Sequence, residues 1–146
     1  MTGCCREARS DDKLTPMDRD HLNGWIAAYE RAWRTPGTET LATIFTAEAT
    51  YRQGPYRKPI IGLPAIARMW EDERDGPDEV FHMTSEVVAV EGDTAVVRVE
   101  VRYGTPVGQE YRDLWIMRFA EDGRCSSFEE WPFWPGQPTT APPPGS

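Results

Sequence analysis

The chain has 146 residues, 39% hydrophobic and 11% aromatic, which suits one globular domain with an ordinary core. Its 16 Lys and Arg residues against 24 Asp and Glu residues give a net charge of −8. Because no basic cluster offsets that charge, nucleic acid and anionic membrane are not expected as partners. No apolar run approaches the roughly 20 residues that a membrane-spanning helix needs.

Cysteine and histidine usage points to neither disulfides nor a metal. Cys4 and Cys5 are adjacent in a polar segment and Cys125 lies in a strand-like one, so unpaired thiols are expected. His21 and His82 lie far apart, and neither has the spacing of a zinc or iron ligand, so no metal is expected. The polar amino terminus has no apolar signal core, and we expect a cytoplasmic protein.

Both ends of the chain differ in composition from its centre. Residues 1–14 are polar and aperiodic, and residues 135–146 are rich in proline. Neither segment has enough apolar residues to offset the entropy cost of ordering, so both are expected to be disordered. The prediction is therefore a single folded domain over residues 15–134.

The first element along the chain is predicted to be a long helix. Thr15 would be its N-cap, Pro16 its first helical residue and Asp18 an acid in its first turn. Apolar residues then recur at helical spacing and form one stripe. That stripe consists of Leu22, Trp25, Ile26, Tyr29 and Trp33.

Two further helices are predicted before the strands begin. The second starts near Thr38 and has three apolar positions, Leu41, Ile44 and Phe45. After a short extended piece at residues 49–56, Gly62 and Pro64 open the third helix. The inward positions of this third helix are Ile66, Met69 and Trp70.

From residue 80 onward the apolar period changes to two, which is typical of strands. Strands are predicted at about 80–90, 95–103, 109–119 and 125–133, with turns at 91–93 and 121–123. Helices followed by an antiparallel meander predict an α+β fold, with the helices against one face of a curved sheet.

Pairing the strands across their turns assigns residues to the two faces of the sheet, because opposed residues share a face. Pairing Ala89 with Ala95 across the first turn starts an inner face that is apolar almost throughout. The pairs that follow on this face are Val87 with Val97, Met83 with Val101, Phe81 with Tyr103, Tyr103 with Tyr111, Val101 with Asp113, and Val99 with Trp115.

The opposite face of the sheet is predicted to carry charges. It places Glu86 beside Arg98 and His82 beside Arg102, with Glu100 between the two arginines. Alternating charges of this kind are typical of a solvated or subunit-contact surface, and His82 is assigned to that surface.

One carboxylate does not fit the apolar inner face. Asp113 lies there by alternation and by pairing, although burying an unpaired charge is costly. A second inner acid is expected in the last strand. Alternation favours Glu129, between Ser127 and Trp131, whereas a one-residue bulge would favour Glu130, and the sequence leaves both open.

The sequence resembles the nuclear-transport-factor-like superfamily, which includes ketosteroid isomerases, scytalone dehydratase, limonene epoxide hydrolase and SnoaL-like polyketide cyclases. The resemblance covers about residues 22–134. It rests on "LATIFTAEATYRQGPYRKPIIGLPAIARMW", "AVEGDTAVV" and "YRDLWIMRFAEDGRCSSFEEW". It implies a cone, in which a curved sheet wraps around a long helix and leaves a pocket at the open end. Many relatives need no cofactor and dimerise through the outer sheet face.

The resemblance also implies roles for single residues. Tyr29 takes the place of the tyrosine that donates to the oxyanion in the isomerases. Trp115 replaces their second oxyanion donor, and Gln53, which cannot abstract a proton, replaces their general base. Ketosteroid isomerase activity is therefore not expected.

In such a cone, Tyr111 and Asp113 would line the pocket while Met117 and Phe119 pack the narrow end. The leading hypothesis is a cofactor-free isomerase, cyclase, dehydratase or hydrolase acting on a small, largely apolar or aromatic molecule. Asp113 would be its acid or base and Tyr29 a hydrogen-bond donor, since a carboxylate among aromatics has a raised pKa. The other expected pocket residues are Trp33, Tyr51, Gln53, Trp70, Met83, Val101, Trp115, Trp131 and Glu129 or Glu130.

Two alternatives concern function and assembly. A non-catalytic binding or accessory domain of the same fold would use these polar groups only to satisfy one another. In either case, a homodimer is expected through the outer sheet face near Arg98, Glu100 and Arg112.

Overall fold

Three helices and six strands follow one another within residues 18–74 and 80–137, the parts of the chain that the computed structural model describes. The helices are α1 (Arg19–Arg34), α2 (Leu41–Ile44) and α3 (Leu63–Glu73). The strands are β1 (Phe45–Arg52), β2 (Ile60–Ile61), β3 (Phe81–Glu91), β4 (Thr94–Tyr103), β5 (Gln109–Phe119) and β6 (Cys125–Phe133).

The strands form one curved sheet with the order β2-β1-β6-β5-β4-β3. All neighbouring pairs are antiparallel except β1 and β6, which run parallel. The α+β prediction is confirmed, and the four strands predicted after residue 80 are present within a residue of their expected bounds. The two-residue strand β2 was not predicted.

Helix α1 begins one turn later than the sequence suggests. Asp18 is its N-cap and accepts a hydrogen bond from the backbone N–H of His21 at 2.8 Å, rather than being an acid of the first turn. The predicted cap at Thr15 and Pro16 lies outside the described residues. The buried stripe of α1 faces the sheet and consists of Leu22, Trp25, Ile26, Tyr29 and Ala32.

The prediction for the second helix is wrong in extent. Helix α2 has only four residues, and Phe45 already belongs to β1, which pairs with β6 and β2. Strand pairing thus overrides the helical spacing of the apolar residues. The third helix is confirmed, with Ile66 and Trp70 buried and Met69 half-buried.

The predicted register of β3 and β4 is correct from the Phe81–Tyr103 pair to the Val87–Val97 pair. The pairing of Ala89 with Ala95 is wrong. A bulge at Val88 inserts one extra residue into β3, so that Ala89 lies opposite Val96 instead.

The predicted register of β4 and β5 is wrong by two residues. Tyr103 lies opposite Gln109, so Val101 faces Tyr111 and Val99 faces Asp113. The reason is the connection at residues 104–108, whose length sets where pairing starts. A shift of two residues leaves each side chain on its face, so Asp113 still points inward.

A second bulge determines which acid of β6 points inward. Arg118 pairs with Ser127 while Phe119 pairs with Cys125, so Ser126 is an extra residue in β6. The bulge reverses the alternation beyond it, and Glu130 lies opposite Trp115 on the inner face.

The core lies between α1 and the inner face of the sheet. The ring of Trp25 packs at 5.6 to 6.5 Å from aromatic rings of β1, β5 and β6, and its indole N–H donates to the carbonyl of Ile44 at 2.9 Å. Met117 and Phe119 are buried here. This packing fills one end of the inner face and leaves the other end open.

Candidate active site

The open end of the inner face forms a cavity of about 540 Å³, a size that suits a small-molecule ligand. Helix α1, β1, the end of α3 and strands β3 to β6 contribute to its walls. The aromatic and apolar lining consists of Tyr29, Trp33, Tyr51, Phe81, Met83, Val101, Tyr103, Tyr111, Trp115 and Pro132. The polar lining consists of Gln53, Arg57, Glu73, Gln109, Asp113 and Glu130.

Three residues that the sequence assigned to the cavity lie elsewhere. Trp70 is fully buried behind the cavity wall, with its ring 5.1 Å from Tyr29 and 4.8 Å from Trp33, because its face of α3 packs into the core. Glu129 and Trp131 point to the outer face because of the bulge in β6. There the indole N–H of Trp131 donates to Glu129 Oε2 at 2.6 Å.

A chain of hydrogen bonds crosses the cavity wall from α1 to β6. Tyr51 donates to Glu130 Oε1 at 2.7 Å, and the hydroxyls of Tyr29 and Tyr51 lie 3.0 Å apart. Because Tyr51 has one proton and gives it to a carboxylate, Tyr29 must be the donor to Tyr51 while Glu130 is ionised. Burial, and then the nearby Glu130, raise the pKa of both tyrosines well above 10.0, so both remain protonated.

Asp113 is nearly buried, with 8% of its surface exposed, and its Oδ1 has no hydrogen-bond partner within the described residues. Burial raises the pKa of Asp113 from 3.8 to about 6. Trp115 and Glu130 oppose part of this rise. The indole N–H of Trp115 lowers this pKa through a side-chain contact that falls outside the geometric limits of a hydrogen bond within the described residues.

Glu130 is half-buried, and it lines the cavity. Burial raises its pKa from 4.5 to about 7; the bond from Tyr51 lowers the pKa, and the negative charges of Asp113 and Glu73 raise it. The two carboxyls interact and therefore titrate as a pair. Near neutral pH the pair can hold one proton, which gives one acid and one base on the same wall.

Sequence reasoning missed several features of this site. The contact between Tyr51 and Glu130 joins residues 79 positions apart, and no local pattern reveals it. Gln53 donates to both carboxylate oxygens of Glu73, 20 positions away, at 3.1 and 2.9 Å. Phe81 and Tyr103 also line the cavity. Their predicted pairing on the inner face was a signal in the sequence that could have identified them as cavity residues.

Other features of the described chain do not point to a metal or a membrane. In residues 18–74 and 80–137, no three His, Cys, Asp or Glu side chains cluster to hold a metal ion. No helix within these ranges has the length and apolar content to cross a bilayer. Cys125 is buried and unpaired, while Cys4 and Cys5 lie outside the described residues.

Comparison with known proteins identifies the family. The profile of the SnoaL-like domain matches residues 26–128, which is most of the chain. The chain belongs to the SnoaL-like family. No curated protein matches it.

Solved structures agree with this assignment at the level of the fold. A protein assigned as a ketosteroid isomerase from Kribbella flavida is 20% identical, with a TM-score of 0.58, covering 86% of this chain and 84% of its own. A protein assigned as a polyketide cyclase from Sinorhizobium meliloti is 23% identical, with a TM-score of 0.58 and coverage of 75% and 97%. The epoxide hydrolase/cyclase-like enzyme SalBIII, described in pyran ring formation, is 12% identical, with a TM-score of 0.64 and coverage of 80% and 93%. The SnoaL-like cone is therefore shared with proteins described as isomerases and cyclases.

Proposed function

We propose that this SnoaL-like protein is an enzyme that uses Asp113 and Glu130 as base and acid on a small, neutral, largely apolar molecule. Such a pair can catalyse several types of reaction without a bound cofactor, namely isomerisation, cyclisation, dehydration and hydrolysis. The observation that carries the proposal is the placement of two carboxyl groups, with no cation bonded to them in the described chain, on one wall of an aromatic cavity.

The electrostatics of the pair support proton transfer near neutral pH. General acid–base catalysis works best when the pKa of the catalytic group is close to the working pH. The pKa values of Asp113 and Glu130, about 6 and about 7, meet that condition. Because the two carboxyls titrate as a pair, their roles are assigned by geometry: Asp113, whose Oδ1 has no hydrogen-bond partner within the described residues, is the base, and Glu130 is the acid.

The lining of the cavity supports a neutral and mostly apolar substrate. Aromatic and aliphatic side chains form most of its wall. Its charged groups are three carboxyls and, within the described residues, one exposed arginine, Arg57. An anionic substrate would therefore be repelled from the end where Asp113 and Glu130 lie.

The proposal is tested by screening small neutral ketones, epoxides and hydroxyketones for conversion, with product formation followed by NMR. Asp113→Asn keeps the shape of the side chain and removes the base, so turnover should fall roughly a hundredfold or more. Ligand affinity should change little. Glu130→Gln should reduce turnover on the same scale because it removes the acid.

Glu129→Gln is the matched control, because it makes the same change one residue away on the outer face, and it should leave turnover intact.

The competing function is a binding domain, which is favoured by the mutual hydrogen bonds of Tyr29, Tyr51 and Glu130. If the wild-type protein binds compounds of the screen but converts none, or if Asp113→Asn keeps full turnover, the catalytic proposal is wrong.

A further inference from the structure

The number of protons in the hydrogen-bond chain from Tyr29 through Tyr51 to Glu130 determines which of its groups can donate to a ligand. With Glu130 ionised, two hydroxyl protons serve two hydrogen bonds, and both bonds point towards the carboxylate. The proton of Tyr29 is then used inside the chain. Tyr29 lines the cavity, yet in this state it has no proton to offer a ligand there.

Adding one proton to Glu130 changes this count. The carboxyl can then donate from Oε1 to the hydroxyl of Tyr51, which in turn donates to the hydroxyl of Tyr29. Three protons now serve two hydrogen bonds, and the proton of Tyr29 is released towards the cavity. No bond has to move by more than a rotation of a hydroxyl group, because all three oxygens keep their positions.

We propose that protonation of Glu130 reverses the direction of this chain and thereby decides whether Tyr29 can donate a hydrogen bond to a ligand. Tyr51 is the positioning residue that transmits the change from β6 to α1. The inference deepens the proposed function, on which it rests, by stating when the expected donor Tyr29 is able to act. The ligand it favours is one with a neutral oxygen acceptor, such as a ketone.

The surroundings of Glu130 place this change in an accessible pH range. The charged or titratable groups that face the cavity around it come from each neighbouring element: Asp113 and Tyr111 from β5, Glu73 from α3, Tyr51 from β1, Tyr29 from α1, Tyr103 from β4, and the exposed Arg57 from the β1–β2 connection. Burial and the two acids raise the pKa of Glu130 to about 7. Tyr29 is therefore a donor to ligands below about pH 7 and is committed to Tyr51 above it.

One competing arrangement has to be distinguished. Protonated Glu130 could instead turn its proton towards Asp113 and continue to accept from Tyr51, which would leave Tyr29 unchanged. Both arrangements have a partner within reach, because a hydrogen bond with Asp113 is among the causes that raise the pKa of Glu130. The proposal places the proton on Oε1, which lies 2.7 Å from Tyr51, and the test below distinguishes the two arrangements.

The first test needs no ligand. In protein labelled with ¹³C at tyrosine Cζ and glutamate Cδ, the resonances of Tyr29 and Glu130 are followed from pH 5 to pH 9. Both should titrate with the same midpoint, near pH 7. In Tyr51→Phe the response of Tyr29 should disappear while Glu130 still titrates. Tyr56→Phe, the same change at a fully exposed tyrosine, should leave both curves intact.

Two results would overturn the inference. If Glu130 titrates while Tyr29 stays flat in the wild-type protein, its proton goes to Asp113 instead. If the response of Tyr29 persists in Tyr51→Phe, it reports the electric field of Glu130 and not a hydrogen-bonded chain. The wild-type curves suffice for the first result, so the test does not depend on how well a variant folds.

The second test measures the ligand preference with acetophenone and ethylbenzene, which differ in one carbonyl oxygen. The preference for acetophenone, measured by NMR titration, should be roughly three- to tenfold greater at pH 5.5 than at pH 8.5, the scale of one hydrogen bond. Tyr29→Phe should abolish the preference, and Tyr51→Phe should retain it at both pH values. Asp113→Asn should keep the pH dependence with a lower midpoint, because one negative charge is removed.

The inference is contradicted if the preference for acetophenone does not change with pH. It is also contradicted if that preference changes with pH in Glu130→Gln as it does in the wild-type protein. Should neither compound bind, the first test decides alone. Neither measurement requires turnover, so a failure of the catalytic proposal would leave both results interpretable.

Discussion

The two faces of the sheet hold carboxylates in opposite ways. On the outer face, Glu86 pairs with Arg98 at 2.7 Å, and the two side chains are 68% and 59% exposed. On the inner face, Asp113 and Glu130 have no bonded cation in the described chain, and burial raises the pKa of each. The outer carboxylate stays in contact with water whether or not the ion pair forms. The inner carboxyls lose water, and within the described residues only Glu130 gains a hydrogen bond from a tyrosine in exchange.

The comparison shows that the carboxyls of the inner face are not there to stabilise the fold. An exposed ion pair changes the free energy of unfolding by at most about 1 kcal/mol and needs no special role. A buried carboxyl without a cation lowers the free energy of unfolding when it is ionised. Groups of the second kind cluster at functional sites, which is why the inner face is the focus of the proposed chemistry.

The largest expected difference between the two faces is in how their carboxyls make the free energy of unfolding depend on pH. The folded pKa of Asp113, about 6, exceeds its usual 3.8, so the folded state holds this proton more tightly than the unfolded state. The stability contributed by that proton is complete below about pH 4 and is lost as pH rises through 6. Relative to Asp113→Leu, the wild-type protein should therefore lose about 2 kcal/mol between pH 4 and pH 8 in urea unfolding.

Glu86→Leu is the control on the outer face, and its difference from the wild-type protein should not grow between pH 4 and pH 8. If Asp113→Leu is less stable than the wild-type protein at pH 8, the carboxylate stabilises the fold, and the contrast between the two faces is wrong.

A smaller effect is expected at the level of assembly. The charged residues of the outer face surround half-buried apolar ones, among them Leu114, Ile116 and Trp131. We expect this face to form a homodimer near Arg98. Ile116→Arg should weaken the dimer at least about tenfold, because it places a charge in that contact.

Light scattering at micromolar concentration measures this directly. Val88→Arg, an exposed position at the bulge of β3, is the comparison variant and should remain a dimer. A monomer mass for the wild-type protein would end the prediction of a dimer.

The smallest effect is expected for the outer ion pair itself. Glu86→Ala should change the free energy of unfolding by less than about 1 kcal/mol, and added salt should reduce the change further. A loss of 2 kcal/mol or more in urea unfolding would show that this pair is not a solvent-screened contact.

The sequence predicts the strands after residue 80 well, because period-two alternation and the glycines at 92 and 123 mark both their faces and their ends. It also places Asp113 inward, since an error of two residues in register does not change the face. The fold follows from these local patterns together with the apolar stripe of α1.

The composition of the site could not be predicted in the same way. Whether Glu129 or Glu130 faces the cavity depends on one extra residue, Ser126, which no alternation pattern reveals. The bond between Tyr51 and Glu130 depends on parallel pairing of β1 with β6, whose register shifts between Phe45 and Thr50. Such non-local geometry is set by tertiary packing and not by local propensity.

The bulge at Ser126 also has an evolutionary meaning. Deleting this one residue would restore strict alternation in β6 and leave the pairs after it unchanged, so Phe128 and Glu130 would still point inward. The strand pairing, the packed end of the core around Phe128 and the acid of the cavity would all stay. The bulge is thus a means by which one strand of the cone absorbs a length change of one residue while the side chains of the cavity keep their positions.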